Sequence, residues 1–362
     1  MQRTRALCLI GSLCLIPYSA AAEPQAAKPA AAAKPAPAKA AIKAPVPVEA
    51  QRSAVAVPVP EKKNPPPLAK ELFGKAKVAA DLSPRAIGSY AKGCLSGGVH
   101  LADTGPNWQA MRLSRNRAWG HPKLVKLLQR FASEVKQDGW NGLLVGDISQ
   151  PRGGPMLTGH ASHQIGLDAD IWLTPMPNRV LTRKEREEIS ATSMLDNTKL
   201  AVNPKVFTAS HASVIKRAAS YPSVERVFVH PAIKKSLCET TKDDPDRAAW
   251  LGKVRPIWGH HYHFHIRIGC PNGGCEPQVP VKGDDGCGAE VTGWLKKIEA
   301  SLKPPPPPQP GAPKWVPPSE RRRITLDQLP QECRVVIESP GAPVVTEAMA
   351  GTTTGATPPK KK

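Results

Sequence analysis

Two stretches of the chain alternate apolar and polar residues at period two, the signature of a strand with one buried face. From His261 onward, His261, His263, His265 and Arg267 point one way and Tyr262, Phe264, Ile266 and Ile268 the other. Upstream, Leu167, Ala169 and Ile171 face a core while Asp168, Asp170 and Trp172 face the opposite side. Helical spacing appears over 122–136, where Leu124, Leu127, Leu128, Phe131 and Val135 make one apolar stripe. A strand over 140–149 leads to a turn at Gly153-Gly154-Pro155, and Thr182 with Glu185 forms a capping box that opens a surface helix running to about residue 191. A helix over 209–219 and a strand over 224–230, ended by Pro231, follow. The mixture predicts an α+β domain with a central antiparallel sheet and helices packed around it.

The flanks read differently. Residues 1–22 join a basic start, an apolar run from Ala6 to Ile16 and the small residues Ser19 to Ala22, the pattern of a cleavable secretory leader. The run is too short to span a bilayer, and no later segment is long and apolar enough. Residues 23–68 are mostly Ala, Pro and Lys and predict an extended tether that cannot bury enough surface to order itself. The folded domain is expected over 69–302. A Pro-rich segment and a docked C-terminal piece around Cys333 occupy 303–344, and a basic disordered tail 345–362.

Chemistry concentrates on the two alternating stretches. Four of the ten histidines fall between His260 and His265. A lone histidine is most simply a satisfied polar residue, but this density on one strand face points to metal. Gly166 permits a turn that brings His160 or His163 back toward Asp168 and Asp170. Two imidazoles, a carboxylate and one open position are the donor set of a catalytic zinc. The chain has no His-Glu-x-x-His, so a base must come from elsewhere. Ser162 lacks the Gly-x-Ser-x-Gly setting of a serine nucleophile. Asp168, on the same face as Asp170, is placed to orient a ligand.

The strings Gly-His-Ala-Ser-His-Gln-Ile-Gly-Leu-Asp-Ala-Asp-Ile-Trp (159–172) and Trp-Gly-His-His-Tyr-His-Phe-His-Ile-Arg (258–267) resemble the penicillin-insensitive murein endopeptidase family of the lysostaphin and D-Ala-D-Ala metallopeptidase group. The likeness runs from about Ile87 to about Ala300, with an echo near Cys333. It implies zinc on His163, Asp170 and His265, with His260 and His263 as the other active-site groups. It also implies hydrolysis of the D-alanyl–meso-diaminopimelate cross-link of peptidoglycan in the periplasm. The family can carry a second metal at a homodimer contact, through the position of His160 and an Asp-x-x-His. Here that segment is Asp196-Asn-Thr-Lys199, with lysine in place of the histidine.

Of eight cysteines, Cys8 and Cys14 belong to the leader, leaving an even six that read as disulfides in an exported chain, with their pairing open. The resemblance implies Cys94 with Cys333, Cys238 with Cys287, and Cys270 with Cys275. The formal net charge of +20 fits a polyanionic neighbour. Export and the lack of any helix-turn-helix, zinc-finger or RNA-binding signature set nucleic acid aside and leave the anionic wall polymer. A carboxypeptidase removing terminal D-alanine and a non-catalytic wall-binding protein are the rival readings; the retained His260 and His263 count against the second.

Overall fold

A computed structural model describes residues 66–271, 273–281, 284–304, 311 and 323–342. The expected leader, the tether up to residue 65, most of the Pro-rich segment and the basic tail lie outside the described residues.

The strands are β1 (Arg85–Ser89), β2 (Lys92–Ser96), β3 (Val99–His100), β4 (Thr104–Gly105), β5 (Trp108–Ala110), β6 (Trp119–Gly120), β7 (Leu143–Val145), β8 (Asp168–Trp172), β9 (Val224–Val229), β10 (Val254–Pro256) and β11 (His263–Ile268). The α-helices are α1 (Ala69–Lys75), α2 (Pro122–Glu134), α3 (Arg183–Glu188), α4 (Ala209–Ser220), α5 (Pro231–Thr240), α6 (Arg247–Trp250), α7 (Ala289–Leu302) and α8 (Glu332–Glu338).

Seven strands form the main sheet in the order β10-β9-β11-β8-β7-β5-β4. The strands at its centre run antiparallel: β11 pairs with β8 on one side and β9 on the other. The β9–β10 and β5–β7 pairs are parallel, so the sheet is mixed. Each parallel pair has helix in its connection, α5 and α6 in one and α2 in the other, because parallel neighbours require a crossover.

The register between the two alternating stretches sets the site. His265 lies opposite Asp170, His263 opposite Trp172 and Arg267 opposite Asp168. On the reverse face Phe264 sits opposite Ile171 and Ile266 opposite Ala169, all four fully buried. They share one core with Leu124, Leu128 and Phe131 of α2 and with Val214 and Ile215 of α4. The Phe131 ring meets Phe264 edge-on at 6.3 Å. Each large apolar side chain buried there contributes roughly 1.5–3 kcal/mol, so the histidine-bearing face stands on a well-packed floor. The capping box at Thr182 forms as expected.

Alternation fails one step before the strand. His260 and Gly259 both have positive φ, at 55° and 73°, so the chain turns where the sequence pattern extends the strand to His261. His261 leaves the site face and bonds Ser193 Oγ at 2.9 Å. Tyr262, expected on the core face, is 39% exposed and borders the cleft instead.

Disulfides join Cys94 to Cys333, Cys238 to Cys287 and Cys270 to Cys275. The first ties α8 to β2, within a small core of Phe73, Ile87, Leu329 and Val336. Arg152 reinforces the junction, its Nη1 donating to the carbonyls of Val336, Ile337 and Ser339 at 2.8 Å each.

Candidate metal centre

Three donor atoms converge at the middle of the sheet. His163 Nε2 lies 3.1 Å from His265 Nδ1 and 3.3 Å from Asp170 Oδ1, and the last two are 3.3 Å apart. A tetrahedral zinc with bonds of 2.0–2.1 Å needs ligand atoms about 3.3 Å apart, which this triangle matches. Asp170 Oδ1 is buried and has no hydrogen-bond partner, an orphaned acceptor of the kind a cation satisfies. The donors therefore fit a metal ion.

The shell behind them fixes which ring nitrogen faces inward. His163 Nδ1 lies 2.6 Å from the Ile148 carbonyl, a bond that its Nδ1–H donates, leaving Nε2 to the site. His265 Nε2 lies 2.8 Å from Asp168 Oδ1, which leaves Nδ1 as the inward atom. Asp168 is fully buried and accepts further from Arg267 Nε at 2.7 Å and from the His163 backbone N–H at 2.9 Å. One carboxylate thus touches both histidine-bearing segments. Burial alone would raise Asp168, but Arg267 and His265 outweigh it and hold the carboxyl far below the usual range. His265 shows the converse: burial would lower it, and Asp168 raises it. The Arg267 guanidinium lies over the Tyr90 ring, 4.1 Å from its centroid.

His163 reaches the centre from a left-handed backbone, φ 67°, just ahead of Gly166 at φ 69°. Left-handed non-glycine residues are uncommon and persist where the surroundings over-determine them. Here the bonds of the His163 amide and ring do so.

His160 stands beside the triangle. Its Nε2 lies 3.0 Å from Asp147 Oδ2 and 3.5 Å from Asp170 Oδ2. His160, His163 and Asp170 also bring donor atoms close enough to hold a metal ion. The His163–Asp170–His265 atoms are the tighter set, and His160 Nε2 already has a partner in Asp147.

On the open side, the His260 ring lies 4.7 Å from that of His263 and 6.0 Å from that of His265. His263 Nε2 is 3.7 Å from Asp170 Oδ1. Burial pushes His260 down to about 3 and His263 to about 4, so both imidazoles are neutral at pH 7. His160, Asp170 and His263 border a cleft of ≈ 320 Å³ that is also lined by Arg115, Asp147, Trp172 and Tyr262.

Of the histidines and aspartates singled out from the sequence, His160, His163, Asp168, Asp170, His260, His263 and His265 lie in this cluster, whereas His261 bonds Ser193 and lies outside it. The sequence reading missed Asp147. Its carboxyl is buried against His160, Arg115 and Arg117, which together overcome burial and keep it ionised. A single aspartate at a strand end, with no metal spacing, carried no signal for it. Asp196 is turned into its own loop, Oδ1 accepting from Thr198 N and Oγ1, and Lys199 fills the expected histidine position. That segment gives no support to a second metal or to a dimer.

Comparison with known proteins identifies the family. Residues 86–338 match the family model described as penicillin-insensitive murein endopeptidase. Curated relatives bearing that name include one from Haemophilus influenzae, 39% identical over 264 residues covering 70% of this chain and 82% of the relative. Another, from Pectobacterium atrosepticum, is 39% identical over 63% of this chain and 82% of its own length. A third, from Klebsiella pneumoniae, is 36% identical over 71% and 87%. The chain belongs to the penicillin-insensitive murein endopeptidase family, peptide hydrolases that act on peptidoglycan.

Proposed function

We propose that this protein is a periplasmic zinc endopeptidase that hydrolyses the D-alanyl–meso-diaminopimelate amide of peptidoglycan cross-links. The observation that carries the proposal is the triangle of His163 Nε2, Asp170 Oδ1 and His265 Nδ1, with edges of 3.1–3.3 Å around an acceptor that has no other partner. Zinc held there supplies an acidified water and a polarised scissile carbonyl.

The chain's own residues do the rest. Asp168 holds His265 in the tautomer that offers Nδ1, and couples that choice to the His163 backbone. His260 Nδ1 lies 2.9 Å from the Trp258 carbonyl, so its N–H is committed there and Nε2 is left to accept a proton from the nucleophile. His263, whose Nε2 lies on the Asp170 side of the cleft, is placed to donate to the developing oxyanion. His160, held on Asp147, borders the site without ligating. The leader pattern in residues 1–22, the tether over 23–68 and three disulfides support export of a domain spanning 69–302 with its docked C-terminal piece.

The test is digestion of purified cross-linked muropeptide dimers, resolved by mass, with and without a chelator. Dimers should become monomers, chelation should stop the reaction, zinc should restore it, and His265→Ala should be inert. Loss of one terminal alanine from an intact dimer would identify a carboxypeptidase instead, and no cleavage by the zinc-loaded protein a wall-binding role.

A further inference from the structure

Arg112 and Arg115 line the cleft and Arg117 lies behind Asp147, and their contacts separate the three. Arg112 has its Nη1 on the carbonyl of Arg186 at 3.0 Å and its Nη2 on that of Ile189 at 2.7 Å. It clamps the end of α3, and its guanidinium also stacks over Trp172. Arg117 is nearly buried; its Nη1 bonds Asp147 at 2.9 Å and its Nη2 the Thr158 carbonyl at 3.0 Å, holding the loop that leads to His160. Arg115 differs. Its side chain is 47% exposed at the cleft wall, and its one ion pair among the described residues is Nη1 to Asp147 Oδ2 at 3.1 Å. Asp147 Oδ2 already receives Arg117 and His160, so Arg115 adds positive charge that one carboxylate shared three ways leaves under-neutralised.

We propose that Arg115 is a specificity-determining residue that binds a free carboxylate on the carbon bearing the scissile nitrogen. The inference rests on the endopeptidase reading above and adds the group its cleft selects. In a D-alanyl–diaminopimelate amide that carbon carries a carboxylate, and a guanidinium with a fork of outward donors is the side chain that pairs with one bidentately. The placement fits: Arg115 and His160 share a single oxygen of Asp147, and His160 Nε2 is 3.5 Å from the Asp170 carboxylate at the reacting centre. Bound there, the carboxylate would pin the leaving side of the amide while Tyr262 borders the same cleft.

The experiment compares two cross-linked dimers, one with this carboxylate free and one with it as a carboxamide, cut by zinc-loaded wild type, Arg115→Ala and Arg115→Lys. Wild type should favour the free acid by about 10–100-fold in kcat/KM, the range of a charge-assisted hydrogen bond. Arg115→Ala should lose that preference by slowing on the free acid while its rate on the carboxamide stays within about threefold of wild type. Arg115→Lys should keep part of it, having the charge without the fork. An undiminished preference in Arg115→Ala, or equal cutting of the two dimers by wild type, overturns the assignment. Failure of the wild type to cut either dimer would instead remove the endopeptidase reading on which it stands.

Discussion

Asp168→Asn removes one negative charge from a fully buried position while nearly preserving shape, so its effects can be read from the contacts it breaks. The carboxylate accepts from His265 Nε2 at 2.8 Å, Arg267 Nε at 2.7 Å and the His163 amide at 2.9 Å. An amide has one acceptor oxygen, so it cannot serve all three. If its nitrogen faces His265, the ring must present Nε2 as an acceptor, which moves the proton to Nδ1, the atom that faces the candidate metal site. Loss of such a carboxylate behind a liganding histidine costs about 10–100-fold in metal affinity. Breaking the pair with Arg267 also leaves a guanidinium that is only 12% exposed without its counter-charge, a loss of about 3 kcal/mol at the lower end for buried pairs. For a domain of this size that is a fall in Tm of about 6–12 °C. Zinc affinity would be measured by competition with a chromophoric chelator, and stability by thermal unfolding of the metal-free protein. Arg267→Met separates the two effects: it should lower stability comparably yet leave zinc affinity near wild type, because Asp168 still holds His265. Wild-type zinc affinity in Asp168→Asn would refute the account of how His265 is oriented.

Two further outcomes test the surroundings. In Gly166→Ala a Cβ would lie 2.7 Å from Leu95 Cδ2 and 2.9 Å from the His121 nitrogen, at φ +69°, so stability should fall by about 2 kcal/mol and zinc content should drop with it; unchanged denaturation would show that this turn does not position His163. Lys234 is fully buried, its Nζ donating to the carbonyls of Leu251 at 2.8 Å and Asp285 at 2.5 Å, and burial lowers its pKa from 10.5 to about 7. Between those two values the unfolded chain holds a proton that the folded chain has released, so stability should rise with pH, by up to about 1.4 kcal/mol per unit. Urea unfolding at pH 7, 8 and 9 should show this rise in wild type and its absence in Lys234→Met, and parallel slopes would contradict it.

What the sequence disclosed and what it hid divide along a physical line. Alternation made β8 and β11 visible and assigned Asp170 and His265 to one face, because a strand's geometry ties the side of a residue to its parity. The same rule misled at Tyr262, since parity holds only while the backbone stays extended and the left-handed His260 ends that condition. No period announces such a residue. Pro231 was legible as the end of β9, yet it is also the first residue of α5, capped by His230, whose Nδ1 accepts from the Ala232 amide at 3.1 Å. A proline stops one element and opens the next with equal ease, so its presence alone does not say which. Asp147 and Arg115 were hidden for a different reason. Each owes its role to a neighbour far along the chain: Asp147 to His160, 13 residues away, and Arg115 to Asp147, 32 residues away. Candidate metal ligands advertise themselves because an ion demands several rare donors at once, and two short motifs carry such donors. The groups that choose a substrate need only one charge in the right place, and many surface arginines satisfy that description. Arg112 and Arg117 commit their guanidinium groups to backbone carbonyls and Arg117 is nearly buried, whereas Arg115 stands half-exposed at the cleft, and such contacts are a property of the fold.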